Sequence, residues 1–187
     1  MLKRDESVSM SMNYAEYIVT AKAEGKLLLK RIIVSLVFLL AFIVLSYIVF
    51  QGTPVLEILV IAFCGIGFYF AYSRLRIEYE YVVASAQVEF NTIYGLKKRK
   101  EIITVSLDDV EKIAPYNDAG AEYIKGKDVS KVYDFCSSKK SKRRYFMMHK
   151  KDGKYQVIYF DAVSKTLDVL KFFRSGIVEI DKEIYEM

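Results

Sequence analysis

The chain has 187 residues, 53% of them apolar and 27% charged, with a net charge of +5. The charges are segregated: the 41 residues from Ile32 to Tyr72 hold only Glu57, and the other 146 hold the remaining 50. That division excludes a simple soluble globule, a disordered chain and a multispan transporter, and leaves one membrane unit plus one domain of ordinary size.

Met1 to Met12 is short, polar and rich in Ser and Met, which predicts a disordered start. In Asn13 to Lys30 (NYAEYIVTAKAEGKLLLK), Tyr14, Tyr17, Ile18 and Ala21 fall at helical spacing. Residues 1–31 are therefore predicted to form a cytoplasmic segment, partly an amphipathic helix, with Gly25 breaking it from the first span.

Residues 32–50 (IIVSLVFLLAFIVLSYIVF) carry no charge. As a helix they reach about 28 Å, close to the roughly 30 Å of a hydrocarbon core. Residues 55–73 form a second such stretch, and Gln51-Gly52-Thr53-Pro54 joins the two. Four residues hold no domain, and Gly and Pro end one helix and start the next. A tight transmembrane hairpin is expected. The apolar run starts too late and runs too long for a cleaved leader. Leu2 stands where myristoylation requires glycine, so no lipid anchor is expected.

Lys22, Lys26, Lys30 and Arg31 precede the first span, Arg74 and Arg76 come after the second, and the connecting loop has neither Lys nor Arg. The positive-inside rule places both termini in the cytoplasm, making this a two-span protein of the cell membrane. Glu57 sits one turn inside the second span, near the interface and at a helix N-terminus that favours an anion. Ala62, Cys64, Gly65 and Gly67 narrow the second helix for packing against the first.

From residue 74 the period changes to two. Ile77, Tyr79, Tyr81 and Val83 predict a strand, QVEFNTIY a second across Ser85-Ala86, and KKRKEIITVS a third, together a meander. Leu107 to Ile113 reads as a connector closed by a short Ala114-Pro115-Tyr116 strand, and residues 117–130 as a polar loop. KVYDFC (131–136) is a further strand and residues 137–142 a basic turn. RYFMMHK and KYQVIYF flank Lys151-Asp152-Gly153, a hairpin signal. A helix is predicted from Ala162 to Phe173, N-capped by Asp161 and ended by Gly176, with Val163, Leu167, Leu170 and Phe173 on its buried face.

About seven short strands and then one amphipathic helix describe a bent barrel plugged at one end, the pleckstrin-homology (PH) architecture. The tract RIEYEYVVASAQVEFNTIYGLKKRKEIITVSLDDVEKIAPY, placed after two apolar spans, resembles a bacterial family of two-span membrane proteins with a C-terminal PH-like domain. The resemblance rests on the EYEY-type first strand, the basic hairpin and the closing Ala-Pro-Tyr. It implies the fold and carries no catalytic signature, and the function of that family is uncharacterised.

Candidate chemistry is sparse. His149 is a lone strand histidine, read as a packed or surface side chain. Cys64 lies in a span and Cys136 in a predicted strand, so neither a structural zinc site nor a disulfide is expected. Asp108-Asp109 lacks a third ligand and reads as a solvated turn. No P-loop, dinucleotide fingerprint or HExxH occurs. The expectation is a protein with no cofactor and no catalytic residue.

The interaction signal lies in two basic runs, Lys97-Lys98-Arg99-Lys100 and Lys139, Lys140, Lys142, Arg143, Arg144. Beside an anionic leaflet each such charge is worth about 1 kcal/mol. The first hairpin, Ser85-Ala86-Gln87, lacks the Lys and Arg with which eukaryotic PH domains hold inositide headgroups. The net charge after residue 73 is only +4 and the runs carry no interleaved aromatics, which disfavours nucleic acid. Three readings are consistent with these features. The leading one is a membrane-anchored, non-enzymatic module that binds a protein partner or self-associates. The second is an electrostatic sensor of anionic lipid, and the third a small transport component using Glu57.

Overall fold

The computed structural model describes residues 14–49, 54–95 and 98–186. The polar start of the chain, the expected connection at 51–53, Phe50 at the end of the expected first span, and Lys97 lie outside them. The described chain divides into two compact units. One contains residues 22–77 and 94–98, dominated by two helices, and the other contains residues 14–21, 78–93 and 99–186.

In the helical unit, α1 runs Gly25–Val49 and α2 runs Pro54–Ser73. Both are long and apolar enough to cross a membrane. Their large side chains point outward, as in Leu40 at 60% and Phe63 at 76% exposure, which suits lipid and not water. Pro54 opens α2, as its fixed φ and missing N–H favour. The expected break at Gly25 is corrected: this residue, at φ +51°, opens α1, which continues through Lys30 into the apolar run. Gly67 lets α2 approach α1, because a Cβ there would lie 2.9 Å from the Phe38 ring. Phe38 meets Phe68 edge-on at 5.7 Å.

The second unit is a pair of four-stranded sheets. The first has the order β1(Tyr14–Thr20), β2(Ile77–Ala84), β3(Gln87–Tyr94), β4(Lys98–Ser106). The second has the order β5(Val110–Pro115), β7(Arg144–Lys151), β8(Lys154–Asp161), β6(Val129–Asp134). Among the described residues the expected seven-stranded barrel is thus corrected to eight strands in two sheets that do not close. β6 also runs parallel to β8, from Val129 opposite Tyr155 to Asp134 opposite Tyr159, while β7 and β8 form an antiparallel hairpin. Asp152 and Gly153, at φ +51° and +77°, turn that hairpin as the Asp-Gly signal predicts. Ser85 and Ala86 turn the β2–β3 hairpin at φ +51° and +59° without a glycine.

The largest correction concerns residues 14–20, expected to be helical. They form β1, antiparallel to β2 from Tyr14 opposite Ala84 to Thr20 opposite Glu78. Ala15 and Tyr17 face the core, with Val19 packed against it, so the decisive period is two. The sheet therefore begins before the first membrane helix and resumes after the second.

The core between the sheets is aromatic. Phe90 stacks on Phe135 with centroids 5.1 Å apart and meets Tyr81 and Phe160 at 5.7 and 5.9 Å. The hydroxyl of Tyr81 donates to the Phe135 carbonyl at 2.6 Å, so the buried polar tip is satisfied. The last helix, α4, spans Ser164–Phe173; it packs against this core through Leu167 and Leu170, flanked by Val163 and Phe173, as expected. α4 also lies against β1. The expected cap is corrected: Val163 is the N-cap, and Asp161 ends β8 and accepts from the Ser137 N–H at 2.7 Å. Gly176 lies beyond the helix, in a short 3-10 turn.

The expected polar loop at 117–130 contains α3, Asp118–Lys125, capped by Asn117 accepting from the Gly120 N–H at 2.9 Å. Tyr123 and Ile124 pack on Ala114, Phe146, Met148 and Val157, a second small core on the outer face of the second sheet. Gly120 permits this approach, since a Cβ there would lie 2.7 Å from the Pro115 carbonyl oxygen and 2.9 Å from the Phe146 ring. Gly120→Ala is expected to destabilise the domain by about 1–3 kcal/mol, the usual result of overpacking. Thermal melting against the parent chain checks this; an unchanged midpoint would show that α3 can lift away freely.

Candidate functional site

The two basic runs separate into side chains held within the fold and side chains facing water. Lys98, Arg99 and Lys100 are exposed at the start of β4. Arg99 nevertheless reaches the buried carboxylate of Glu80 at 2.6 Å. Asn91 donates to the same carboxylate at 3.1 Å. Burial raises the Glu80 pKa, and Arg99 and Asn91 oppose the rise. Strand alternation alone gives no sign that Glu80 is buried, and its pairing removes Arg99 from the freely available charges.

In the second run, Lys139, Lys140 and Lys142 are exposed and Arg143 is half-buried. Arg143 donates to the Tyr17 hydroxyl at 3.5 Å. Arg144 is built into the protein. Its guanidinium lies over the Tyr159 ring at 4.4 Å and the Tyr116 ring at 5.1 Å. It pairs with Asp134 at 3.1 Å and donates to the Lys139 carbonyl at 3.2 Å. Planar stacking together with a carboxylate partner is a role lysine cannot fill. The loop before it is braced by its own polar groups: Lys140 N–H donates to Ser138 Oγ at 3.1 Å, and Arg143 N–H to Ser141 Oγ at 3.3 Å. Arg99 and Arg144 thus hold elements together, while Lys98, Lys100, Lys140 and Lys142 present charge to solvent.

Cys136 lies two residues beyond β6 and is buried, which pushes its thiol pKa up and keeps it unreactive. Asp108 and Asp109 are exposed in a 3-10 turn capped by Ser106, as expected. Among the described residues no three His, Cys, Asp or Glu gather as a metal site.

A cluster that the sequence does not announce sits beside α3. Lys127 Nζ and the Tyr123 hydroxyl both donate to Glu111 Oε1 at 2.6 Å. Lys127 also lies over the Tyr155 ring at 4.7 Å. The bond from Lys127, then that from Tyr123, lowers the Glu111 pKa to about 2. These groups come from α3 and the residues after it, β5 and β8, so only the Asn117 cap ahead of Glu122-Tyr123-Ile124 offers a local signal.

His149 is buried in β7, its Nε2 without a partner, opposite Gln156 of β8, whose Oε1 is likewise unpartnered. Burial lowers the His149 pKa; Asp109 opposes that shift and Lys151 adds to it. Its neutral form is favoured by folding. That stabilisation is present above the unfolded histidine pKa of about 6.5 and is lost as pH falls toward the lower folded value. The domain is expected to melt at a lower temperature at pH 5 than at pH 7, and His149→Leu to flatten that slope. Parallel slopes in the two proteins would place the acid sensitivity elsewhere.

The four sheet edges differ. β4 begins with Lys98, Arg99, Lys100 and Glu101, charges that discourage pairing. β5 is covered on one side by the C-terminal tail, where Val178 bridges to Ile113 and the Glu179 N–H donates to its carbonyl at 2.8 Å. β1 lies against α4. β6 ends the second sheet. It is mostly exposed, with Val132 at 56%, while Tyr133 leans on the core. Among the described residues no further strand pairs with its outer side.

No curated protein and no solved structure matches the chain at significance. A family model for a bacterial PH-like domain, DUF6106, matches residues 11–179. The match takes in β1, both apolar helices and the two sheets through the start of the tail, so strand, hairpin and domain recur as one unit. The chain belongs to the bacterial PH-like domain family DUF6106.

Proposed function

We propose that this protein is a membrane-anchored, non-enzymatic interaction module whose PH-like domain takes an extended segment of a protein partner, or of a second copy, along β6. The observation that carries the reading is that edge: a strand at the end of its sheet with an outward apolar side chain, Val132, and no charged row like that of β4. Strand addition at such an edge gains main-chain hydrogen bonds, and Val132 supplies a side-chain contact.

The topology of β1 supports a common side for both ends of the hairpin. Thr20 is paired with Glu78, so the chain leaves and re-enters the sheet at neighbouring positions. Two membrane helices inserted there would start and finish on the same face of the bilayer, which supports this reading. The Lys and Arg flanking the spans favour the cytoplasm for that face.

A photo-reactive amino acid at Val132, compared with one at exposed Lys171 on α4, tests the binding edge in native membranes. Protein adducts at Val132 and none at Lys171 are expected. Adducts at neither position, or equally at both, would overturn the edge as the binding surface.

A second reading, docking on anionic lipid, is favoured by the exposed Lys98, Lys100, Lys140 and Lys142. Its test should spare Arg99 and Arg144, whose removal takes the cationic partner from Glu80 and Asp134. Neutralising the four lysines is expected to weaken salt-sensitive contact with phosphatidylserine or phosphatidylglycerol vesicles without changing the melting temperature. Unchanged contact would remove this reading. A transport role for Glu57 finds no further support beyond the residue's place in the first turn of α2.

A further inference from the structure

The helical unit carries a feature that neither the interaction reading nor the basic runs use. A groove of about 350 Å³ is lined by Leu28, Arg31, Ile32, Ser35, Leu39 and Tyr72, among others. A second apolar groove of about 480 Å³, reaching Phe42, Cys64, Gly65 and Phe68, shares Ser35 and Leu39 with it. Because they adjoin at these two residues, one extended chain could lie through both as a channel along the surface of the hairpin. From Arg31 to Phe42 a helix rises about 16 Å. That is roughly half of a ~30 Å hydrocarbon core, the depth of one leaflet.

Arg31 stands at the head of this channel. Its guanidinium lies over the Tyr72 ring at 5.5 Å. It donates to the Leu75 carbonyl at 3.4 Å, a long bond. Its Nε is buried without a partner and so closed to a ligand, and no carboxylate pairs with the residue among the described residues, which leaves the outer N–H groups available. An arginine left with donors to spare at the head of an apolar channel matches an anionic phosphate, which guanidinium binds with paired N–H groups. Tyr72 holds the guanidinium plane in place. Ser35 does not compete for the phosphate, since its hydroxyl donates to the Arg31 carbonyl at 2.9 Å.

The lower end of the channel is kept open by Gly65. A Cβ added there would meet nothing within 4 Å, whereas at Gly67 it would strike Phe38. Of the two glycines, Gly67 serves helix packing and Gly65 leaves space. We infer that the hairpin holds one anionic phospholipid, with its phosphate on Arg31 and one acyl chain lying along the channel past Leu39 to Gly65.

The test uses the full chain purified in mild detergent, with native mass spectrometry after addition of phosphatidylglycerol or phosphatidylcholine bearing the same acyl chains. One retained phosphatidylglycerol per chain is expected, at least tenfold preferred over phosphatidylcholine. Arg31→Gln should abolish the preference, and Gly65→Leu should release both lipids, its side chain filling space that is empty now. Lys30→Gln, a change at an exposed neighbour outside the channel, should leave retention intact. Helical circular dichroism and a monodisperse elution profile establish that each variant is folded. Equal retention of both headgroups, an Arg31→Gln protein that keeps the preference, or a Gly65→Leu protein that keeps its lipid would each overturn the inference.

Discussion

A fragment comprising residues 74–187, the part beyond the second apolar helix, is expected not to fold stably by itself. It lacks β1, and β1 contributes the whole ladder from Tyr14–Ala84 to Thr20–Glu78. It also lacks Ala15 and Tyr17, both buried in the main core, with Tyr17 5.9 Å from Tyr81. α4 packs against the same strand and would lose part of its seat. Removing one large buried aromatic typically costs about 3–5 kcal/mol, against a total stability of about 5–15 kcal/mol for a domain. Losing the strand as well should leave little. The register supplies the remedy: residues 14–20 joined through Asn-Gly to residues 78–186 would place a two-residue turn where the membrane hairpin now enters. That linked protein should show a cooperative melt, and the 74–187 fragment a broad or absent one. Equal cooperative melts would mean that β1 is dispensable.

Phe90→Ala should have the largest effect of any single core substitution. Phe90 is fully buried and touches three other aromatics, Phe135, Tyr81 and Phe160. These rings come from both sheets and from the segment after β6, so the cavity would open where the layers meet. Packed interiors relax only partly around such a loss. The expected cost is about 3–5 kcal/mol. For a domain of this size that lowers the melting temperature by on the order of 10–20 °C. Near-ultraviolet circular dichroism of the full chain on heating reports it directly. A shift of a few degrees would show that the aromatic cluster repacks around the gap.

The sequence is most legible where a signal is local. Alternation and turn residues mark β2, β3, β7 and β8, and the apolar character of the two long helices is plain from their residues alone. It is least legible where a distant partner decides. Tyr14, Tyr17, Ile18 and Ala21 satisfy a helical period, whereas Ala15, Tyr17 and Val19 satisfy a strand period. The tie is broken by β2, which lies beyond the hairpin. At 117–130 the two glycines suggest a loop, but Gly120 is there because α3 presses on Pro115 and Phe146. The same holds for charge. Arg99 and Arg144 look like their lysine neighbours until Glu80 and Asp134 are brought beside them by the sheets. Asp161 fits the capping rule in sequence and is instead occupied by the Ser137 N–H.

The family match and the strand register agree on one architectural point, that the apolar hairpin interrupts the domain and does not merely precede it. A domain interrupted in this way cannot be placed on one side of a membrane while its first strand lies on the other. Single cysteines test this, placed at Gly52, Lys22 and Lys154 in a chain whose Cys64 and Cys136 are replaced by alanine. A membrane-impermeant maleimide applied to intact cells should label only Gly52→Cys, with Lys22→Cys and Lys154→Cys reacting after permeabilisation. Labelling of Lys22→Cys and Lys154→Cys from opposite sides of the membrane would contradict the account.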